Sequence, residues 1–168
     1  MALLDTEAIR RAVVSIPLIE LEAFIVAAKS RTYVGDGAKL PSYRPGSHDL
    51  RHDEGDFAYH DCYFGGSDFA GEEVVYWRGQ PVWAENYFGR IVEPGLITAE
   101  RAGQVIKSSL TKLYVEGRFL GGFEATDGDC AYHDASVGDP TWFQGREWIE
   151  REGRTAYELH YHGGVIVD

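Results

Sequence analysis

The spacing of hydrophobic side chains changes period several times along the chain, and each change marks an element boundary. After Pro17, which suits the first turn of a helix, Leu18, Leu21, Phe24, Ile25 and Ala28 recur at helical spacing. They predict an amphipathic helix that needs a partner to cover it. Ahead of it, Asp5 or Thr6 can cap a shorter helix through Ile9 and Val13, with Glu7 in its first turn. Tyr33 to Gly37 reads as a short strand running into a turn. From Leu40 to Glu54, a segment with Pro41, Pro45 and Gly46, no period holds, which predicts a loop of about fifteen residues, longer than most in a compact domain. Alternation returns from Asp56 to Phe64, and Ala70 to Trp77 and Val82 to Phe88 then form a hairpin around Arg78-Gly79-Gln80-Pro81. Thr98 can cap a second helix, with Ala102, Val105, Ile106, Leu110, Leu113 and Tyr114 on its buried face and Gly117 ending it. Strands near Cys130 to Val137, Thr141 to Glu150 and Thr155 to His162 complete the chain.

One stretch recurs. Gly55-Asp56-Phe57-Ala58-Tyr59-His60-Asp61 returns as Gly128-Asp129-Cys130-Ala131-Tyr132-His133-Asp134. After one inserted residue, Phe69, Gly71 and Glu73 align with Phe143, Gly145 and Glu147, and Gly79, Tyr87 and Gly89 with Gly153, Tyr161 and Gly163. The chain therefore reads as two copies of one unit, about 17–93 and about 94–168, each a helix followed by three antiparallel strands. Strands with one apolar face need cover, and one helix per copy supplies it. The expectation is a single α+β domain over 1–168, an internally duplicated, pseudo-two-fold antiparallel sheet with its helices packed on it. Phe119-Leu120-Gly121 echoes Tyr33-Val34-Gly35, and on that alignment the first copy carries about thirteen extra residues, the Pro41 to Asp53 loop.

Composition narrows the partners. The 168 residues can bury a real core. A net charge of −11, with 27 acidic residues against 16 basic, argues against nucleic-acid binding by this chain, because affinity for phosphates needs clustered Lys and Arg. A cationic ligand or basic partner is better matched. No apolar run is long enough to span a bilayer, and the start lacks the basic region of a signal peptide, so a cytoplasmic protein without membrane contact is expected. Cys130 takes the position of Phe57 while Cys62 comes five places later in its unit, so on strands the two thiols would point to opposite faces and stay unbridged.

Strand parity sorts the candidate chemistry. Tyr59 and Asp61 share one face and His60 takes the other, with the same division for Tyr132, Asp134 and His133, so neighbouring His and Asp do not pair. The recurring motif then either keeps a hairpin in both copies or lines one ligand site from two sides. Glu73 and Glu147 stand in aromatic neighbourhoods, with Trp77 and Trp83 in one copy and Trp142 and Trp148 in the other. Carboxylates among ring faces suit an organic cation, although salt bridges at strand edges and core tryptophans explain the same residues. His160 and His162 share a strand face, but no metal-ligand spacing accompanies them, and neither a metal nor a cofactor is expected. Ser47-His48-Asp49 holds the residue types of a hydrolytic triad, whose members meet through the fold and rarely as sequence neighbours.

At Gly35-Asp36-Gly37-Ala38-Lys39, Arg44-Pro45-Gly46-Ser47-His48-Asp49-Leu50, Gly55-Asp56-Phe57, Phe69-Ala70-Gly71-Glu72-Glu73, Trp83-Ala84-Glu85-Asn86-Tyr87 and Trp142-Phe143-Gln144-Gly145, the chain resembles a bacterial family known as a domain of unknown function. Its members occur alone or behind a helix-turn-helix of the Cro/repressor type, and the chain looks like the stand-alone form. By analogy with duplicated effector domains of other regulators, the resemblance implies a sensor-like role. The expected function is effector-type binding of a small molecule, cationic or aromatic, where the copies meet. The expected ligand-binding residues are Tyr59, Glu73, Trp83, Trp142 and Glu147, with Arg44, Ser47, His48 and Asp49 on the closing loop. One alternative is a hydrolase using His48 or His60 with Asp49, Asp61 or Glu73 in the same cleft. Another is an interaction domain that forms a homodimer through a sheet edge.

Overall fold

The structure is a computed structural model that describes residues 17–167; the short helix expected near Ile9 and Val13 lies outside the described residues. Helix α1 (Leu18–Arg31) starts behind Pro17 and buries Leu21, Phe24, Ile25 and Ala28. A turn, not a strand, covers Tyr33 to Asp36. Strands β1 (Lys39–Leu40), β2 (His48–Glu54), β3 (Phe57–Gly65), β4 (Phe69–Trp77) and β5 (Gln80–Ile91) follow. Helix α2 (Ala99–Val115), capped by the Thr98 hydroxyl accepting from the Arg101 amide, leads into β6 (Phe123–Asp127), β7 (Cys130–Asp139), β8 (Trp142–Arg151) and β9 (Arg154–Val165). No helix among the described residues is long and apolar enough to cross a membrane.

All nine strands form one antiparallel sheet in the order β1-β2-β3-β4-β5-β9-β8-β7-β6. This overturns the expected α+β fold built from two duplicated units of a helix plus three strands: the described residues are 50% strand and 21% helix and are mostly one nine-stranded antiparallel sheet. The error has a local cause. Strand β2 lies where a long loop was expected, and β6 was not anticipated at all. Both sit toward the sheet edges, and in β2 charged side chains occupy both faces, so the period-two signal disappears.

Two apolar clusters hold the molecule together. In one, Leu21, Phe24 and Ile25 of α1 meet Tyr59, Val75 and Trp83 of β3, β4 and β5. In the other, Ala102, Val105 and Ile106 of α2 meet Tyr132, Ile149 and Tyr157 of β7, β8 and β9. The recurring Gly-Asp pairs are the turns of two hairpins: Gly55 joins β2 to β3 and Gly128 joins β6 to β7, both with positive φ, which glycine adopts without steric cost.

Candidate functional site

The face of the sheet that α1 and α2 cover is not uniformly apolar. Asp61 on β3, Glu73 on β4, Glu85 on β5, Asp134 on β7 and Glu147 on β8 all point into it, each less than a tenth exposed. Lys29 of α1 is the one buried cation among the described residues. These six side chains line a single cavity of about 390 Å³ between the helices and the sheet, together with eight tyrosines. A cavity of that size is within the range of small-molecule sites.

Register explains the convergence. Asp61 pairs with Glu73 and Glu73 with Glu85 across β3, β4 and β5, while Asp134 pairs with Glu147 across β7 and β8. Since β5 and β9 are neighbours at the centre of the sheet, both acid groups face the same space. Lys29 Nζ lies 2.5 Å from a Glu73 oxygen and 3.1 Å from a Glu85 oxygen. The remaining acids accept from phenols. Tyr87 donates to Asp61 at 2.7 Å, Tyr161 to Asp134 at 2.7 Å, and Tyr132 and Tyr157 to the two oxygens of Glu147 at 2.6 and 2.8 Å.

Five carboxyls around one ammonium cannot all ionise in a low-dielectric space. Burial pushes Asp61 up to about 7, with the charge of Glu73 adding to the rise and the Tyr87 hydroxyl opposing it. Burial likewise raises Glu85 to about 8 against the pull of Lys29, Glu147 to about 7 against its two phenols, and Asp134 to about 6 against Tyr161. Lys29 responds in the opposite sense. Burial alone would lower it, but Glu73 and Glu85 hold it well above the ordinary lysine value. Among the described residues no group of three or more His, Cys, Asp or Glu is arranged to hold a metal ion.

A family model, Domain of unknown function (DUF5680), matches residues 61–166. The chain belongs to that family. Neither a curated protein nor a solved structure matches it. The DUF5680 segment opens at Asp61 and contains all five cavity carboxyls; Lys29 and the segment from Arg44 to Asp49 lie ahead of it.

The residues expected from sequence divide into three groups. Tyr59, Glu73 and Glu147 line the cavity, and the exposed His48 lines it beside Tyr63, the two rings 4.9 Å apart. Trp83 is fully buried just behind it, stacked on Phe143, with its indole N–H donating to the Pro140 carbonyl. Arg44, Ser47, Asp49 and Trp142 are not in the cavity lining. Asp49 lies on the other side of the sheet, where it accepts from Ser47 Oγ and the Tyr43 amide and contacts His60 Nε2 at 2.8 Å. Arg44 reaches the Cys62 sulfur and lies over Phe64, and Trp142 is 61% exposed. Asp49 thus anchors the loop instead of closing the cavity. Because Ser47 bonds to Asp49 directly and not through His60, the order needed for a nucleophile and base relay is missing.

Sequence reasoning passed over Lys29, Glu85, Tyr87 and Tyr161 as ligand-binding candidates, and weighed Asp134 only as part of the recurring motif. A signal for the tyrosines was present: Tyr87 and Tyr161 occur at the same offset as Gly71 and Gly145. These are cross-strand partners, and a Cβ on either glycine would lie 2.3 Å from the hydroxyl of the facing tyrosine. The glycines let the rings cross the strand to reach Asp61 and Asp134.

Proposed function

We propose that the chain is an effector-type binding module that holds a small organic molecule in the cavity between its helices and its sheet. The observation carrying this reading is the convergence of five buried carboxyls and eight tyrosines, drawn from both ends of the chain, on one cavity of about 390 Å³. A purely structural interior would gain more from apolar side chains there, since each buried ionisable group costs several kcal/mol in desolvation, on the order of a small domain's whole stability. Acidic groups among ring faces favour a cationic or aromatic occupant. The resemblance to a family whose members stand alone or behind a helix-turn-helix fits the same role.

A thermal-shift screen of organic amines, nucleosides and sugars tests this reading, repeated on Leu110→Trp, which fills the cavity from α2. Compounds that raise the melting temperature of the native chain and lose that effect in a folded L110W protein support it. Hits that survive in L110W place binding elsewhere, and a screen without hits counts against the module.

A further inference from the structure

The two acid groups of the cavity differ in one respect that identifies the class of ligand. On α1 the inward positions are Leu21, Phe24, Ile25 and Ala28, followed by Lys29; on α2 the same spacing gives Ala102, Val105, Ile106 and Ser109, followed by Leu110. Lys29 and Leu110 both reach the cavity. The sheet shows the matching change. Glu73 faces Glu85 across β4 and β5, whereas Glu147 faces Leu159 across β8 and β9. Where one end holds the Lys29 and Glu85 ion pair, the other presents two leucines.

At that second end Asp134 and Glu147 make no ion pair among the described residues. Their only hydrogen-bond donors there are phenols, and Asp134 Oδ1 is buried without a partner. Arg118 is the cation of that region, but its guanidinium is engaged by Glu116 and by the carbonyls of Leu120 and Gly122. Lys29 against Glu73 demonstrates what the equivalent setting accepts: an ammonium on an alkyl stem. Each carboxylate oxygen bonded to a phenol keeps a second lone pair, so an incoming ammonium finds acceptors on both acids.

Resting on the cavity reading above, we infer that the ligand is an amphipathic primary amine, its ammonium held by Asp134 and Glu147 and its hydrocarbon part against Leu110 and Leu159. A buried charged pair bounded by apolar walls rejects neutral isosteres, which leave the acids without a donor of matching charge.

Calorimetric titration of the full chain with benzylamine, 2-phenylethylamine and hexylamine, each against the corresponding alcohol, tests the inference. The amines should bind saturably and the alcohols at least about tenfold more weakly, the scale of one hydrogen bond to a charged group. Asp134→Asn and Glu147→Gln should each remove that preference, bringing the affinities for amine and alcohol together. Leu110→Lys should supply an internal ammonium and block the amines. Thermal melts establish that each variant is folded, and L110K keeps the test decisive if a carboxamide variant is not. Equal binding of amines and alcohols, or amine affinity untouched in folded D134N, E147Q and L110K, overturns the inference and leaves the cavity reading standing. Absence of binding by either class overturns the inference as well, and the cavity reading falls with it only if the nucleosides and sugars of the screen also fail to bind.

Discussion

At the level of single residues, the motif Phe-x-Gly-x-Glu on one strand facing Tyr-x-Gly on the next is a set of interlocking rings and glycines. Tyr161 crosses Gly145, where a Cβ would stand 2.2 Å from its Cζ, and Phe143 crosses Gly163, where one would stand 2.7 Å from its Cζ. Tyr87 over Gly71 and Phe69 over Gly89 repeat the arrangement at 2.4 and 2.5 Å. The ring of Tyr161 cannot swing aside without surrendering its bond to Asp134. Gly145→Ala should therefore cost about 1–3 kcal/mol through overpacking. Urea denaturation checks this, and the cost should shrink in a Tyr161→Leu background, because the clash and the crossing ring are one interaction. An identical loss in both backgrounds would separate the glycine from the tyrosine. These pairs were visible in the sequence as recurring glycines and tyrosines, but their meaning was not, since spacing along the chain does not say which residues face each other across strands.

Among the elements, α1 shows what a hydrophobic pattern hides. Its apolar stripe is plain in the sequence, yet Lys29 sits next to Ala28 near the helix C-terminus, where a basic residue ordinarily faces solvent and the helix dipole explains it. Its burial depends on Glu73 and Glu85, which come from strands that no local pattern links to the helix. Strand β2 was illegible for the opposite reason, because its polar residues on both faces leave no alternation. The ion pair offers a sharper test than either pattern. Lys29→Leu alone strands two buried carboxyls and should cost about 3–5 kcal/mol at pH 8. Lys29→Leu with Glu85→Leu reproduces the Leu110 and Leu159 arrangement of the other end, and should recover more than half of that loss in urea melts. A double variant no better than the single one would mean that Lys29 serves mainly Glu73.

Over the whole molecule, the cavity sets how stability depends on pH. Folding raises Asp134 to about 6, Asp61 and Glu147 to about 7, and Glu85 to about 8, in each case chiefly by burial. In the unfolded chain the same groups lose their protons near the ordinary carboxyl value of about 4. Between those limits the native state binds more protons than the unfolded state, so stability falls as pH rises from about 4 and levels off above about 8. Other acids act with the opposite sign. Burial would raise Asp49, but hydrogen bonds led by the Ser47 hydroxyl and the Tyr43 amide bring it to about 2, and arginine bonds lower Asp127 and Glu158. Their contribution is present above the ordinary carboxyl value and is lost as pH drops through their lowered values. The two trends together place the stability maximum near pH 5. Melting temperatures followed by circular dichroism from pH 4 to 9 should fall on the alkaline side, and Asp61→Asn and Glu147→Gln should flatten that fall by removing carboxyls that the fold keeps neutral. A bound amine should reverse the trend, stabilising the chain more at pH 8 than at pH 5, because its charge pairs with the ionised acids. A native profile that stays level from pH 5 to 8 would mean that these four carboxyls are hydrated, and that the cavity is wet enough to ionise them without a ligand.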